Sequence, residues 1–481
     1  MKRQSGPSGQ PGPWAKPSDH IKDLSLGALF FLGTVLLTGC AHTDSAASAG
    51  PSVTVPGQFT IYPENAPAPD RWWEGFGSAE LDTLVDDTLA GSLTLRQSLA
   101  RLEQSRSLVI QAGADRLPDL TLNAGASETR RETGGQRSET SSRSLALASS
   151  WELDFWGRVR ATERAALLDQ EGSRESLYSA AMTLVSEVTL KWLEMISVKR
   201  QMELVRTQLE TNRTILDLME QRYLKGLANA LDVYQQRQAV AETEASLPQL
   251  EAREETLLNE IAVLSGRPPR TDLKLTAAVF PGTGPLPTTG VPADLLARRP
   301  DIRTAGLKLR ATKARTAAAR SGRLPKVTLS ATAGYSSNSL ADILDDWLGT
   351  LAANLAWTLF DSGSKRAEVT RLEAVAGEYL AAYEQAVLTA IREVEDAMVR
   401  EVRQAEYVKA LEEQLSISRD GFREAISRYR KGLSDYLPVL TALTGTQRLE
   451  RSIVLAEFER LSQRVTLHRA LGGGWMEEEF E

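Results

Sequence analysis

The chain of 481 residues is 42% hydrophobic and 25% charged, apolar enough for a substantial core and unlike a disordered segment. Its formal net charge of -7 offers no basic excess, which argues against a nucleic-acid partner. One cysteine, Cys40, and three histidines, His20, His42 and His468, exclude an intrachain disulfide and a His/Cys metal cluster. No cofactor and no catalytic constellation is expected, because the glycines fall in neither dinucleotide-binding nor Walker A order and no His-Glu-x-x-His is present.

The chain opens with a polar, basic stretch to Lys22 and Asp23, then an apolar run from Leu24 to Leu37, then Leu37-Thr38-Gly39-Cys40. That run is short for a transmembrane helix and has the layout of an export signal. Its end resembles the lipobox of bacterial lipoproteins, so residues 1–39 are expected to be a signal peptide and Cys40 the acylated mature N-terminus, carrying N-acyl diacylglycerol. Ala41 follows where Asp would favour retention, a choice that in the lipoprotein pattern favours the outer membrane. Residues 40–70, rich in Ala, Ser and Pro, read as a tether.

The remainder repeats itself. Leu117-Pro118-Asp119-Leu120-Thr121-Leu122 is echoed by Leu324-Pro325-Lys326-Val327-Thr328-Leu329, Trp151-Glu152-Leu153 by Trp357-Thr358-Leu359, and Arg222-Tyr223-Leu224-Lys225-Gly226-Leu227 by Arg428-Tyr429-Arg430-Lys431-Gly432-Leu433. The offsets, 207, 206 and 206, indicate an internally duplicated chain, with a first repeat at 71–265, a Pro/Gly-rich linker at 266–292, a second repeat at 293–470 and a tail at 471–481. In each repeat a helix precedes two period-two stretches, Leu120 to Ala126 with Leu145 to Leu153, and Val327 to Ala333 with Gly349 to Leu359. Polar loops are expected at 130–141 and 337–347. Ser173 to Lys225 and Glu378 to Asp420 then read as long helices, which turn back at Gly226 and Gly432 as hairpins.

Four amphipathic strands cannot close a barrel, and an open edge is not tolerated in hydrocarbon. Other copies must supply the partners. Three would give twelve strands and an open lumen, two would give eight and a nearly filled one; periodicity favours an oligomer without fixing its number.

Arg71-Trp72-Trp73-Glu74-Gly75-Phe76-Gly77, the mid-chain motif Leu295-Leu296-Ala297-Arg298-Arg299-Pro300-Asp301-Ile302-Arg303, and Leu471-Gly472-Gly473-Gly474-Trp475 together resemble the outer membrane factor family, specifically its lipoprotein branch. The resemblance implies a mixed α/β membrane protein of the outer membrane, extending into the periplasm. Its homotrimer would combine a 12-stranded transmembrane β-barrel, four strands per chain, with a periplasmic α-helical coiled-coil barrel. Its work would be passive export of drugs, metabolites or metal ions, with a periplasmic adaptor protein and an inner-membrane resistance-nodulation-division transporter as partners. A type I secretion duct, or a structural envelope lipoprotein without a channel, is the alternative. Arg298, Arg299, Pro300 and Asp301 carry the family motif. Tyr223, Gly226, Leu227, Gly432 and Leu433 match hairpin tips that meet the adaptor, and Arg428 and Tyr429 match the periplasmic gate. Thr441 stands where the family commonly has an aspartate, leaving Asp435 as the nearby carboxylate. Gly306 and His468 stand where Glu and Tyr are usual.

Overall fold

A computed structural model describes residues 71–282, 292–339 and 341–473, with the single residue Pro56. The expected signal peptide, Cys40, Gly474 and Trp475 lie outside these described residues. The chain order is a 3-10 turn at Trp72–Phe76, α1 (Ala79–Gly91), α2 (Leu93–Ala114), β1 (Asp119–Thr133), β2 (Gln136–Leu153), α3 (Arg158–Leu224), α4 (Ala230–Ala245) and α5 (Leu247–Leu264). A 3-10 turn at Pro292–Asp294 then leads to α6 (Leu295–Arg298), α7 (Pro300–Ser321), β3 (Lys326–Ser337), β4 (Trp347–Ala356), α8 (Ser364–Arg430) and α9 (Leu437–Ala470). The two halves match closely, for α2 and α7 each have 22 residues and α3 and α8 each have 67. At 1.5 Å per residue, each long helix runs about 100 Å.

Neither long helix contains proline. Each begins where an aspartate occupies its orphan amides: Asp154 accepts from the amides of Val159 and Arg160 at 3.0 and 2.9 Å, and Asp361 accepts from Lys365 at 3.1 Å. Helix α3 starts 15 residues before the expected 173 because Gly172 does not break it. A lone glycine costs roughly 1 kcal/mol, which so long a helix absorbs.

The four strands form one antiparallel meander in the order β1-β2-β3-β4. Residues opposite one another share a face, so the register alone sorts the side chains. Leu120, Ser149, Ala331 and Leu351 make one cross-sheet row, Leu122, Leu147, Ala333 and Gly349 the next, and Ala124, Leu145, Tyr335 and Trp347 a third. The opposite face carries rows such as Thr121, Ala148, Thr332 and Thr350. Among the described residues the apolar rows have no cover: Leu120, Leu351 and Trp347 are 72%, 80% and 73% exposed. Among those residues the outer edges of β1 and β4 are likewise unpaired.

The expected polar loop at 130–141 is a correction. Strands β1 and β2 continue through it, from Arg130 opposite Glu139 to Thr133 opposite Gln136, around the two-residue turn Gly134-Gly135. Both glycines have positive φ, 61° and 83°, the backbone that a two-residue hairpin demands. Exposed on both faces, this extension has no apolar alternation to betray it.

The helices form a layer that continues the sheet. On the side near the strands, α2 packs on α3, α3 on α7 and α7 on α8; on the side of the tips, α4 and α5 pack on α3, α3 on α9 and α9 on α8. The two zones meet around Trp72 and Trp73, which pack with Leu81, Val85, Trp192, Leu193, Ile196, Leu257 and Ile261. Among the described residues no helix is long and apolar enough to cross a membrane.

Trp72 also stacks on His468 of α9, ring centroids 5.2 Å apart and 14° from parallel. Burial, with a smaller contribution from the Arg464 guanidinium, lowers the His468 imidazole to about 4. An unfolded histidine titrates near 6.5, so the unfolded state binds the extra proton first and stability falls as pH drops from about 6.5 to 4, by about 3 kcal/mol. His468→Phe should flatten this acid limb in denaturant titrations between pH 7 and 4.5. An unchanged slope would show that His468 is not the group responsible.

Candidate functional site

The two hairpin tips are built alike. Helix α3 ends as Gly226 N–H donates to the Tyr223 carbonyl at 2.9 Å and Leu227 N–H to that of Arg222 at 2.9 Å; in α8 the same pair runs from Gly432 to Tyr429 at 3.0 Å and from Leu433 to Arg428 at 2.9 Å. This crossed pair satisfies the orphan carbonyls and needs a left-handed residue, which Gly226 at φ 69° and Gly432 at φ 71° supply. Beyond the first turn, Asn229 and Asp232 form a reciprocal capping box that starts α4.

Tyr429 and Tyr223 occupy equivalent positions but face opposite ways. Tyr429 is buried among Ile215, Met219, Val233, Tyr436, Val439 and Leu443, whereas Tyr223 is half exposed. The Tyr429 hydroxyl donates to Met219 Sδ at 3.4 Å, its ring lies 4.8 Å from the Arg222 guanidinium carbon, and it meets Tyr436 edge-on at 5.5 Å. Burial pushes the Tyr429 hydroxyl up, partly offset by Arg222, so it stays protonated across the physiological range. Arg428, next in sequence, is exposed, and its ion pair is with Glu424 one turn back in the same helix, at 3.8 Å.

Asp435 and Thr441 are also exposed. The Thr441 hydroxyl donates to the Leu437 carbonyl of its own helix at 2.9 Å. Thus one chain brings Tyr429 against the other hairpin, while Arg428, Asp435 and Thr441 project from the surface. Leu227 and Leu433 are exposed at the two turns.

Sequence reasoning missed the polar core just behind the tips. The Tyr436 hydroxyl donates to Gln236 Oε1 at 2.5 Å, and Gln236 Nε2 donates to the Asn212 carbonyl at 2.7 Å. Asn212 and Gln447 exchange amide hydrogen bonds at 2.9 and 3.4 Å, Asn212 also donates to Thr243 Oγ1 at 2.8 Å, and Gln208 Nε2 reaches the Gln447 carbonyl and Glu450 at 3.1 and 3.0 Å. Gln208 and Asn212 stand one turn apart on the face of α3 that continues into Ile215 and Met219. Two amides on an apolar face were the available signal.

The mid-chain motif lies where the two helical zones meet. Arg299 precedes α7 and grips Asp301 with both nitrogens, at 3.0 and 2.7 Å; it also donates to the Ala470 carbonyl at 3.2 Å and pairs with Glu393 of α8 at 2.8 Å. Burial alone would raise the Asp301 carboxyl, but the Arg299 guanidinium outweighs it and holds the carboxyl below its ordinary value. Pro300 takes the first position of α7, where its missing N–H costs nothing. Arg298 is half-buried at the end of α6. The motif therefore ties three helices together and contributes no reactive group.

A four-stranded sheet continued by long helices whose paired tips lock together is the chain fold of the outer-membrane channel-tunnels. Residues 84–267 and 291–473 match the outer membrane efflux protein family, and the chain belongs to that family, one of export ducts rather than enzymes. It is similar to the pyoverdine export outer membrane protein OpmQ of Pseudomonas aeruginosa, 31% identical over 474 residues that cover 95% of this chain and 98% of OpmQ. It is also similar to the outer membrane protein OprJ of the same organism, 33% identical over 84% of this chain and 86% of OprJ. The outer-membrane channel OprN superposes with a TM-score of 0.83 at 30% identity, covering 89% of this chain and 99% of OprN. The protein is an outer-membrane component of an efflux system, the duct through which cargo leaves.

Removing the Tyr429 ring empties the centre of the tip. Tyr429→Ala should destabilise this region by about 3 kcal/mol, raising amide exchange roughly a hundredfold across residues 215–223 and 436–443. Tyr429→Phe, which loses only the contact to sulfur, should stay within a few-fold of wild type. Equal effects of the two would contradict a packing role for the ring.

Proposed function

We propose that three copies close edge to edge, β4 of one on β1 of the next, into a twelve-stranded barrel in the outer membrane continued by a helical barrel in the periplasm. The observation that carries this reading is the pattern of open edges. The free edge of β1 is preceded by α2 and that of β4 is followed by α8, and these helices end the helical layer on the strand side. Sheet and helices thus stop along the same two lines, and both would be completed by one neighbour. The apolar rows through Leu120, Leu122 and Trp347 would face lipid, and the rows of Thr and Ser would line the lumen.

In this reading the matched 22- and 67-residue helices record an internal duplication, and Cys40 is acylated, so that lipid and barrel both hold the protein in the outer membrane. A periplasmic adaptor would meet the tips at Leu227 and Leu433, and an inner-membrane transporter of the resistance-nodulation-division type would supply energy. Arg428 and Tyr429 would hold the narrow end closed. Without a carboxylate at Thr441 that end would attract cations less than an acidic ring does. The uncovered apolar strands speak against an envelope brace, which needs no such face.

Planar-bilayer recording of the detergent-extracted protein tests the proposal. Discrete conductance steps should appear, and Arg428→Ala/Tyr429→Ala should make them larger or longer-lived. Absence of steps from intact oligomers of both proteins would overturn the duct reading.

A further inference from the structure

Two kinds of contact join the hairpins of one chain, and they respond oppositely to sliding. At the tip, Tyr429 meets Met219 and Arg222 through a ring, a thioether and a guanidinium stacked on its face, contacts of weak directionality that persist when one helix shifts. One step behind lies the amide ladder of Gln208, Asn212, Gln236 and Gln447, whose members are at most 5% exposed. It joins α3 to both α9 and α4, and its bonds are directional. A displacement of even one residue's rise, 1.5 Å, would carry these amides beyond bonding distance. Each buried group so stranded costs about 1–3 kcal/mol, and here several would be lost together.

Resting on the duct reading above, we propose that this ladder is a fixed pivot. The hairpins of one chain stay joined at Asn212 and Gln447 in both closed and open states, and opening is a rocking of the tip segment below them. That segment takes in the end of α3 from Asn212 to Leu224, 13 residues or about 20 Å of helix. The ladder residues act as positioning residues: they set the axis about which Tyr429 and the rest of the tip move, and they need not touch cargo. The buried Tyr436 hydroxyl, held by Gln236, extends the pivot to the residue that caps α9, so that only the part of α8 beyond its Ser418–Thr446 and Arg419–Glu450 bonds to α9 is left to swing.

Two cysteine pairs in the full-length protein separate a pivot from a latch, with reagent-treated wild type as the control. Asn212→Cys/Gln447→Cys, joined by a short thiol-to-thiol linker, should leave the opening frequency in planar bilayers within about twofold of the unlinked protein. Met219→Cys/Tyr429→Cys, joined in the same way, should abolish openings. If linkage at 212/447 also abolishes openings, the ladder is a latch that must part, and the pivot is wrong; openings that survive linkage at 219/429 overturn it too, because motion is then not confined to the tip. Asn212→Leu/Gln447→Met, which fills the space without the hydrogen bonds, should leave resting openings within about twofold in protein of unchanged oligomeric state, because bonds kept in both states favour neither; a severalfold rise would mark a latch and overturn the pivot. Absence of openings from untreated wild type would fail the duct reading itself, and the pivot with it.

Discussion

A strand edge in hydrocarbon has no water to bond its amides and carbonyls, and each group left bare costs several kcal/mol. Among the described residues the four-stranded meander leaves two unpaired edges, on β1 and β4, and an apolar face that none of them covers. Everything else in the molecule is arranged consistently with that constraint. The helical layer ends along the same two lines as the sheet, so a single kind of neighbour would complete both. A closed body would have buried Leu351 and Trp347, which instead stand open with their rows aligned by the register.

The long helices extend this wall without a core of globular depth. Their stability is concentrated in three clusters, two side by side at mid-length, around Trp72, Trp73 and Trp192 and at the Arg299 crossing, and one at the tip around Tyr429. The first two are dense, buried and held by directional bonds, including the buried Arg464–Glu401 pair. Such groups are costly to disturb once desolvated, which makes the middle of the wall rigid. The tip cluster mixes an amide ladder with aromatic contacts of weak directionality, the combination that the proposed pivot uses.

Much of this was legible in the sequence where periodicity and punctuation agree. The repeat offset aligned two helix-strand-strand-helix blocks, Gly226 and Gly432 marked the turns, and the second loop, 337–347, fell between β3 and β4. Legibility failed where a residue's role depends on what lies across from it. The extension of β1 and β2 to Thr133 and Gln136 is polar on both faces and carries no alternating signal. Gln208, Asn212 and Gln447 look like ordinary residues of exposed helices until α3, α4 and α9 are packed together. Tyr429 and Tyr223 occupy the same place in the repeated motif and only the family resemblance told them apart, as gate and as tip; their opposite burial shows only once the hairpins are packed. Arg299, in contrast, was found by motif, though its buried grip on Asp301, Glu393 and Ala470 gives it a structural part rather than a chemical one.

The central claim is that this chain is one third of a closed wall. Native mass spectrometry of the protein extracted in mild detergent, with its lipid and signal processing intact, tests that directly. The account predicts a single dominant assembly of three protomers that resists dilution. A dominant monomer or dimer under conditions that preserve conductance would contradict it.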